Sequence, residues 1–252
     1  MGWLHDGHRS LMQRARAENA TAIATIFVNP RQFNEAADFE RYPRSEERDL
    51  AICAEEGLDL VFAPSVEEVY PPGFVTTVSV GGLARPLEGA ARPGHFDGVA
   101  TVVAILFSLV GADRAYFGQK DAQQVMVIRR MALDLAIPTE VIACPTVREA
   151  DGLALSSRNV HLSPEERAAA PVLRRALTAA REGWAAGERS GDALRATMRR
   201  VLAGEPLARP DYVSVADGST LGELERVDGP ALLSLAVRIG DTRLIDTEPI
   251  GG

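Results

Sequence analysis

Apolar positions alternate between two rhythms along the first half of the chain. Between His8 and Asn19, residues Leu11, Met12 and Ala15 recur at helical spacing. The stretch TAIATIFV (21–28) is β-branched and apolar on both faces, as in a strand buried within a parallel sheet, and Asn29-Pro30 ends it. PRSEERDLAICAEEG (43–57) reads as a helix with acidic residues near its start and Gly57 as its stop. LDLVFAP (58–64) and FVTTVSV (74–80) read as strands. A long apolar helix follows His95, then a strand RAYFG (114–118), a helix from Asp121 to Ala136, and a strand PTEVIACP (138–145). Strands and helices in alternation, with apolar strands buried on both sides, predict an α/β fold with a doubly wound parallel sheet.

The texture changes after residue 150. Ser163-Pro164-Glu165-Glu166 is a capping box with proline at the first helical position. An Ala/Arg/Leu-rich helix runs from it to Gly187, and a second helix spans 192–202. PDYVSVAD, ALLSLAVRIG and TRLIDT read as short antiparallel strands. The expected organisation is a domain over 1–147 and a smaller α+β domain over 148–252.

Composition narrows the function classes. The 252 residues carry 27 Lys and Arg against 35 Asp and Glu, a balance that argues against a general nucleic-acid binder. An anionic ligand would need a local positive pocket. Cys53 and Cys144 have neither C-x-x-C nor zinc spacing and read as structural thiols. The apolar run Gly98–Ala112 is shorter than the roughly 18–20 residues that span a bilayer, and WLHDGHRSL has the composition of no signal peptide. A soluble, cytoplasmic protein without membrane partners is expected.

Five stretches could carry chemistry. In HDGH (5–8) two imidazoles three residues apart stand at the mouth of a helix, and Gly7 lets a ligand approach the backbone. Free amides and the helix dipole favour an anion there, such as nucleotide phosphates. Surface histidines or a metal pair would look the same, although nothing in the spacing of His95 or His161 recommends a third zinc ligand. In LALSSRN (153–159) two hydroxyls and a guanidinium suit a phosphate clamp, or equally a polar interdomain loop. YFGQKDAQQ (116–124) sets Lys120, Asp121, Gln123 and Gln124 at the carboxyl end of a strand, where α/β sheets bind ligands; Asp121 would also serve as a helix cap. FVNPRQF (27–33) offers Asn29 and Gln32 to a polar substrate, or is a plain Asn-Pro turn. RPGHFDG (92–98) places Arg92 and His95 before the apolar helix.

In this order MGWLHDGH, IFVNPRQF, RPGHFDGVATVV, YFGQKDAQQ and LALSSRN resemble the motifs of the pantothenate synthetase family, and DYVSVAD extends the likeness through the rest of the chain. The resemblance implies a Rossmann-like parallel sheet of the HIGH-type nucleotidyltransferase superfamily, a smaller C-terminal domain and a homodimer. It implies joining of (R)-pantoate to β-alanine, with ATP cleaved to AMP and pyrophosphate through a pantoyl-adenylate. ATP and Mg²⁺ are the implied cofactors, with the protein's ligands to the metal undefined.

Carried over by position, Met1, Gly2, Trp3, Leu4, His5, Asp6, Gly7 and His8 line the ATP site, with His8 as proton donor and His5 on the phosphates. Gly118, Gln119, Lys120, Asp121, Val147, Leu155, Ser156, Ser157 and Arg158 hold ATP as well. Gln32 touches pantoate and β-alanine, Gln124 pantoate, and Asn29, Arg92 and His95 complete the substrate set. His5, His8, Lys120, Ser156, Ser157 and Arg158 are the implied catalytic groups, and DGLALSSRN suits a lid. The chain departs from the family in three ways: the Pro-Thr and first strand that precede its methionine are missing, Gln119 replaces a usual glutamate, and Arg31 is an unusual neighbour for Gln32. A start assigned too far downstream is the expected reason for the first. A nucleotidyltransferase that stops at adenylyl transfer, or a truncated nucleotide-binding module without turnover, are the competing readings.

Overall fold

The computed structural model describes residues 2–34 and 36–252. The chain divides into two units, Met1–Gln119 with Gln123–Val147, and Lys120–Ala122 with Arg148–Gly252.

Among the described residues the first unit holds four short strands: β1 (Ile23–Thr25), β2 (Leu60–Phe62), β3 (Arg114–Gly118) and β4 (Glu140–Cys144). They form two parallel pairs, β1 with β2 from Ile23 opposite Leu60, and β3 with β4 from Arg114 opposite Glu140. Among the described residues its helices are α1 (Asp6–Glu18), ahead of β1, and α2 (Ala36–Arg41), α3 (Glu46–Glu55), α4 (Val66–Val69), α5 (Glu88–Ala91), α6 (His95–Val110) and α7 (Ala122–Asp134), between the strands. Apolar α6 is bounded by Gly94 at φ 81° and Gly111 at φ 61°, a conformation that glycine adopts without steric cost and that ends a helix sharply. Its Phe96, Val99, Val103 and Phe107 pack with Val125, Ile128 and Met131 of α7 and with Val141 of β4. A smaller cluster, Leu4, Met12, Ala24, Ile26, Ile52 and Cys53, ties α1 and α3 to β1. Burial pushes the Cys53 and Cys144 thiols above their ordinary range, which keeps them protonated and unreactive.

The second unit contains α8 (Pro164–Ala169), α9 (Val172–Ala185) and α10 (Gly191–Ala203), and an antiparallel sheet of order β5 (Ala208–Asp217), β6 (Ala231–Ile239), β7 (Thr242–Ile250). Central β6 is buried along nearly its whole length. Val172, Leu173, Ala176, Leu177 and Ala180 make one stripe of α9, the width of apolar face that a helix lays on a sheet. That stripe meets Leu194, Met198 and Leu202 of α10 and Leu233, Leu235 and Ile239 of β6. The expected capping box is present: Ser163 Oγ accepts from Glu166 N at 3.2 Å, and Glu166 Oε2 accepts from Ser163 N at 2.9 Å.

Three expectations need correction. FVTTVSV (74–80) contributes no strand among the described residues. Its backbone finds side chains instead: Val78 N donates to Thr101 Oγ1 at 3.0 Å, and Arg31 Nη1 donates to Thr76 O at 3.3 Å. TAIATIFV keeps strand geometry only over Ile23–Thr25. The helix expected to run to Gly187 breaks at Pro171, which lacks the amide that would continue the ladder, so α8 and α9 are separate. Among the described residues no helix is long and apolar enough to cross a membrane.

Candidate functional site

The H-x-G-H stretch forms the amino-terminal end of α1, and its imidazoles are built into the helix start. His5 is the N-cap: its Nδ1 accepts from Gly7 N at 3.2 Å, while His8 Nδ1 accepts from His5 N at 3.2 Å. The rings lie 4.0 Å apart, tilted by 41°. An imidazole nitrogen that accepts from an amide carries no proton, so in each neutral ring the proton sits on Nε2. Both histidines therefore present an N–H donor at a helix end that already favours anions.

The residues ahead of this cap are held by Asp49 of α3, a residue with no motif to announce it. Its side chain is 1 % exposed. Oδ2 accepts from Trp3 N and Oδ1 from Leu4 N, both at 2.7 Å. Trp3 has φ of 54°, a left-handed conformation that a bulky residue holds only under constraint. The Arg48 guanidinium lies 4.7 Å from the centre of the Trp3 ring. Gly2 fits tightly as well, since a Cβ there would come within 2.8 Å of Val28 Cγ2. Met1 lies outside the described residues. Asp49→Ala leaves two amides without their acceptor, at about 1–3 kcal/mol each. The expected outcome is a lowered melting temperature, with Asp49→Asn between the variant and wild type; thermal melts check it.

A second group converges on the Pro30–Gln32 turn. Asn29, 1 % exposed, caps the turn: its Oδ1 accepts from Arg31 N at 3.2 Å and from the Tyr70 hydroxyl at 2.8 Å. Its Nδ2 donates to Gly98 O at 3.0 Å and to Gln32 Oε1 at 3.2 Å. Burial pushes the Tyr70 hydroxyl up to about 12, so it stays a donor at neutral pH. Arg92 Nη2 donates to Gln32 O at 3.1 Å, and His95 Nδ1 lies 2.8 Å from the same oxygen. Four sequence-selected residues, Asn29, Gln32, Arg92 and His95, thus meet at one place. Asn29 orients the Gln32 amide, while Arg92 and His95 fix its backbone. Arg31 lies over the Tyr70 and Phe74 rings at 5.4 and 5.2 Å.

The adjacent glutamines of YFGQKDAQQ separate into two roles. Gln123 is 6 % exposed and ties α7 to the loop before α5, donating to Leu83 O and Pro86 O and accepting from Glu88 N. Gln124 is half-buried, and its side chain makes no hydrogen bond to another described residue. Gly118 ends β3, and Gln119, Lys120 and Asp121 form a 3-10 turn. From Lys120 to Ala122 the chain belongs to the second unit, where Thr247 Oγ1 lies 3.5 Å from Lys120 O. Lys120 Nζ is 3.6 Å from Asp121 Oδ1.

LALSSRN lies in that same unit, just beyond Val147, the last residue of the first. Ser156 caps the 3-10 helix Ser157–His161 by accepting from Arg158 N at 3.3 Å. Leu155 and Arg158 are half-buried and Ser157 is buried. Lys120 and Ser156, 36 positions apart in sequence, line one cavity of about 10 Å³ together with Asn159 and Asp246. His5 and His8 belong to the first unit. Among the described residues no three His, Cys, Asp or Glu side chains gather as a metal site.

Comparison with known proteins places this geometry. The family model described as pantoate-beta-alanine ligase matches residues 1–248. The pantothenate synthetase of Roseiflexus sp. (strain RS-1) is 66 % identical over 246 residues, 98 % of this chain and 88 % of that protein. That of Chloroflexus aggregans is 60 % identical over 248 residues, 98 % and 89 % of the two chains. The crystal structure of pantothenate synthetase from Thermus thermophilus superposes with a TM-score of 0.95 at 53 % identity, covering 98 % of this chain and 90 % of that one. The Francisella tularensis pantoate-beta-alanine ligase, solved with beta-gamma ATP and beta-alanine, gives 0.81 at 34 %, covering 98 % and 86 %. This chain, α/β in fold with parallel strand pairs, belongs to the pantoate–β-alanine ligase family.

Proposed function

We propose that the chain condenses (R)-pantoate with β-alanine in two steps, forming pantoyl-adenylate and pyrophosphate from pantoate and ATP, then pantothenate and AMP. The observation that carries this reading is the family match over residues 1–248. In the first step a pantoate carboxylate oxygen attacks the α-phosphorus and the bond to pyrophosphate breaks. Negative charge grows on the phosphoryl oxygens and the departing pyrophosphate, and hydrogen-bond donors and cations that meet this charge lower the barrier. The Nε2–H groups of His5 and His8 in the first unit, and the Lys120 ammonium, the Ser156 and Ser157 hydroxyls and the Arg158 guanidinium in the second, are groups of that kind. In the second step the neutral amine of β-alanine attacks the acyl carbon and AMP leaves. Excluding water protects the mixed anhydride from hydrolysis.

Gln32 and Gln124 are uncharged amides suited to the hydroxy-acid body of pantoate. Gln124→Ala is expected to raise the KM for pantoate about tenfold, as the loss of one hydrogen bond to a charged or hydroxylated ligand does, with KM for ATP nearly unchanged. AMP formation that requires both pantoate and β-alanine tests the whole reading; AMP formation indifferent to pantoate contradicts it. A nucleotidyltransferase that stops at adenylyl transfer is not favoured by the family match.

Mg²⁺ would accompany the nucleotide, held mainly by phosphate oxygens and water, with Asp121, 40 % exposed beside Lys120, as a carboxylate the chain could offer it. It would supply charge neutralisation on the phosphates. The homodimer and cytoplasmic location implied by the family complete the reading. A strand upstream of Met1 is proposed too. Its support is the sheet itself, since β1–β2 and β3–β4 are separate two-stranded pairs and such pairs are marginal until a further strand joins them. The intact mass of the natural protein decides this: a mass beginning at Met1 contradicts it.

A further inference from the structure

We propose that Asp246 and Thr247 of β7 are positioning residues for ATP chemistry, Thr247 setting the turn that bears Lys120 and Asp246, through Arg148, the loop that bears Ser156; the proposal rests on the reading that Lys120 and Ser156 handle the nucleotide. Asp246 and Thr247 are consecutive in β7. The side chain of Thr247 reaches the Lys120 carbonyl, while Asp246 reaches the opposite anchor. Asp246 is 2 % exposed and receives Arg148 in bidentate fashion, Nη1 to Oδ2 at 2.6 Å and Nη2 to Oδ1 at 3.0 Å. Thr247 N donates to Asp246 Oδ1 at 2.9 Å.

Arg148 in turn carries the arm that leads into LALSSRN. It forms an antiparallel bridge with Ala154, and its Nη1 also donates to Gly152 O at 3.2 Å. The arm folds back at Asp151-Gly152, with Glu149 N on Leu153 O at 2.8 Å and Gly152 at φ 92°. Beyond it, Asn159 closes the loop by donating Nδ2 to Ala154 O at 3.1 Å and its backbone N to Ser156 O at 3.0 Å. Asp246, Lys120, Ser156 and Asn159 all border the same cavity. Two neighbouring positions of β7 therefore fix two segments that are remote in sequence: the turn bearing Lys120 and the loop bearing Ser156.

A buried ion pair contributes little net stability compared with apolar side chains of similar volume. Its planar fork does impose one geometry on the arm. The two roles separate in the double variant Arg148→Met/Asp246→Leu, which removes both charges and keeps the volume. Wild type, Asp246→Asn, the double variant and Thr247→Val are compared by thermal melting and by pantoate-dependent pyrophosphate release at varied ATP and varied pantoate. Asp246→Asn is expected to lose both stability and rate, because it leaves the Arg148 charge poorly paired. The double variant is expected to melt near wild type while its kcat/KM for ATP stays about 10- to 100-fold low, the scale of a misplaced reacting group, and KM for pantoate stays within about twofold of wild type. Wild-type kcat/KM for ATP in a folded double variant overturns the proposal. If that variant does not fold, Thr247→Val decides: raised KM for ATP at an unchanged melting temperature supports the proposal, and unchanged kinetics overturn it. A wild-type chain that releases no pyrophosphate with pantoate sinks the functional reading and this proposal together, whereas an active wild type beside an unaltered variant sinks this proposal alone.

Discussion

Alanine in place of His8 is expected to slow pantoate-dependent pyrophosphate release by roughly 10²- to 10⁴-fold, the range for loss of a positioned acid or charge-stabilising donor. Two losses are combined in that variant. His8 Nδ1 accepts the His5 amide at 3.2 Å, so alanine weakens the start of α1, by about 1 kcal/mol if the effect matches that of an ordinary cap. It also removes the Nε2 donor. Asn at position 8 divides the two, because its short amide can still accept the His5 N–H but does not extend to where Nε2 sits. His8→Asn is therefore expected to melt close to wild type and to remain slow. A fast His8→Asn enzyme would reduce His8 to a helix cap.

Gly98→Ala is expected to damage substrate binding without touching any substrate-facing side chain. At Gly98 the backbone of α6 lies directly on the Pro30–Gln32 turn. A Cβ built there overlaps the Arg31 carbonyl group and stands 2.9 Å from Gln32 N. Both contacts are with backbone, which cannot swing aside as a flexible side chain can. The same glycine accepts the Asn29 Nδ2 donor at 3.0 Å, so pushing the turn away breaks the bond that orients Gln32. Overpacking of this kind costs about 1–3 kcal/mol. Expressed on binding, that is a rise of about 10- to 100-fold in KM for pantoate and β-alanine, with KM for ATP affected far less. Equal rises for all three substrates would show general destabilisation instead.

The parts legible in the sequence are those whose signals are local. Strand RAYFG runs over the same residues, 114–118, in the structure, because a short run centred on two aromatic residues between Asp113 and a polar turn has few alternatives. Helix α6 is equally clear, mostly apolar from Gly98 on and flanked by glycines that take φ above zero. FVTTVSV has the composition of a strand, yet a strand also needs a neighbouring backbone. Here Thr101 and Arg31 meet its polar groups first, and nothing in the heptapeptide itself reveals that. Pro171 was a visible breaker inside a strongly helical composition, and its missing amide outweighed the propensity around it.

The candidate site divides the same way. Residue type and order point to HDGH, Gln32 and LALSSRN. They do not separate Gln123 from Gln124, which differ only in which way the first turn of α7 faces. Nor do they single out Asp49, one acid among several in α3, whose partners lie 45 and 46 residues earlier. Asp246 is hidden for the same reason: its partner Arg148 is 98 residues away. A buried carboxylate flanked by apolar positions in a strand, as in RLIDT, is the one signal that could have marked it, since an isolated charge is too costly to bury without a partner.

Exchange of labelled pyrophosphate into ATP tests the acyl-adenylate most directly, because reversal of the first step is its only source. The account predicts exchange that requires pantoate and proceeds without β-alanine. No exchange with pantoate present, or exchange at the same rate in its absence, would contradict it.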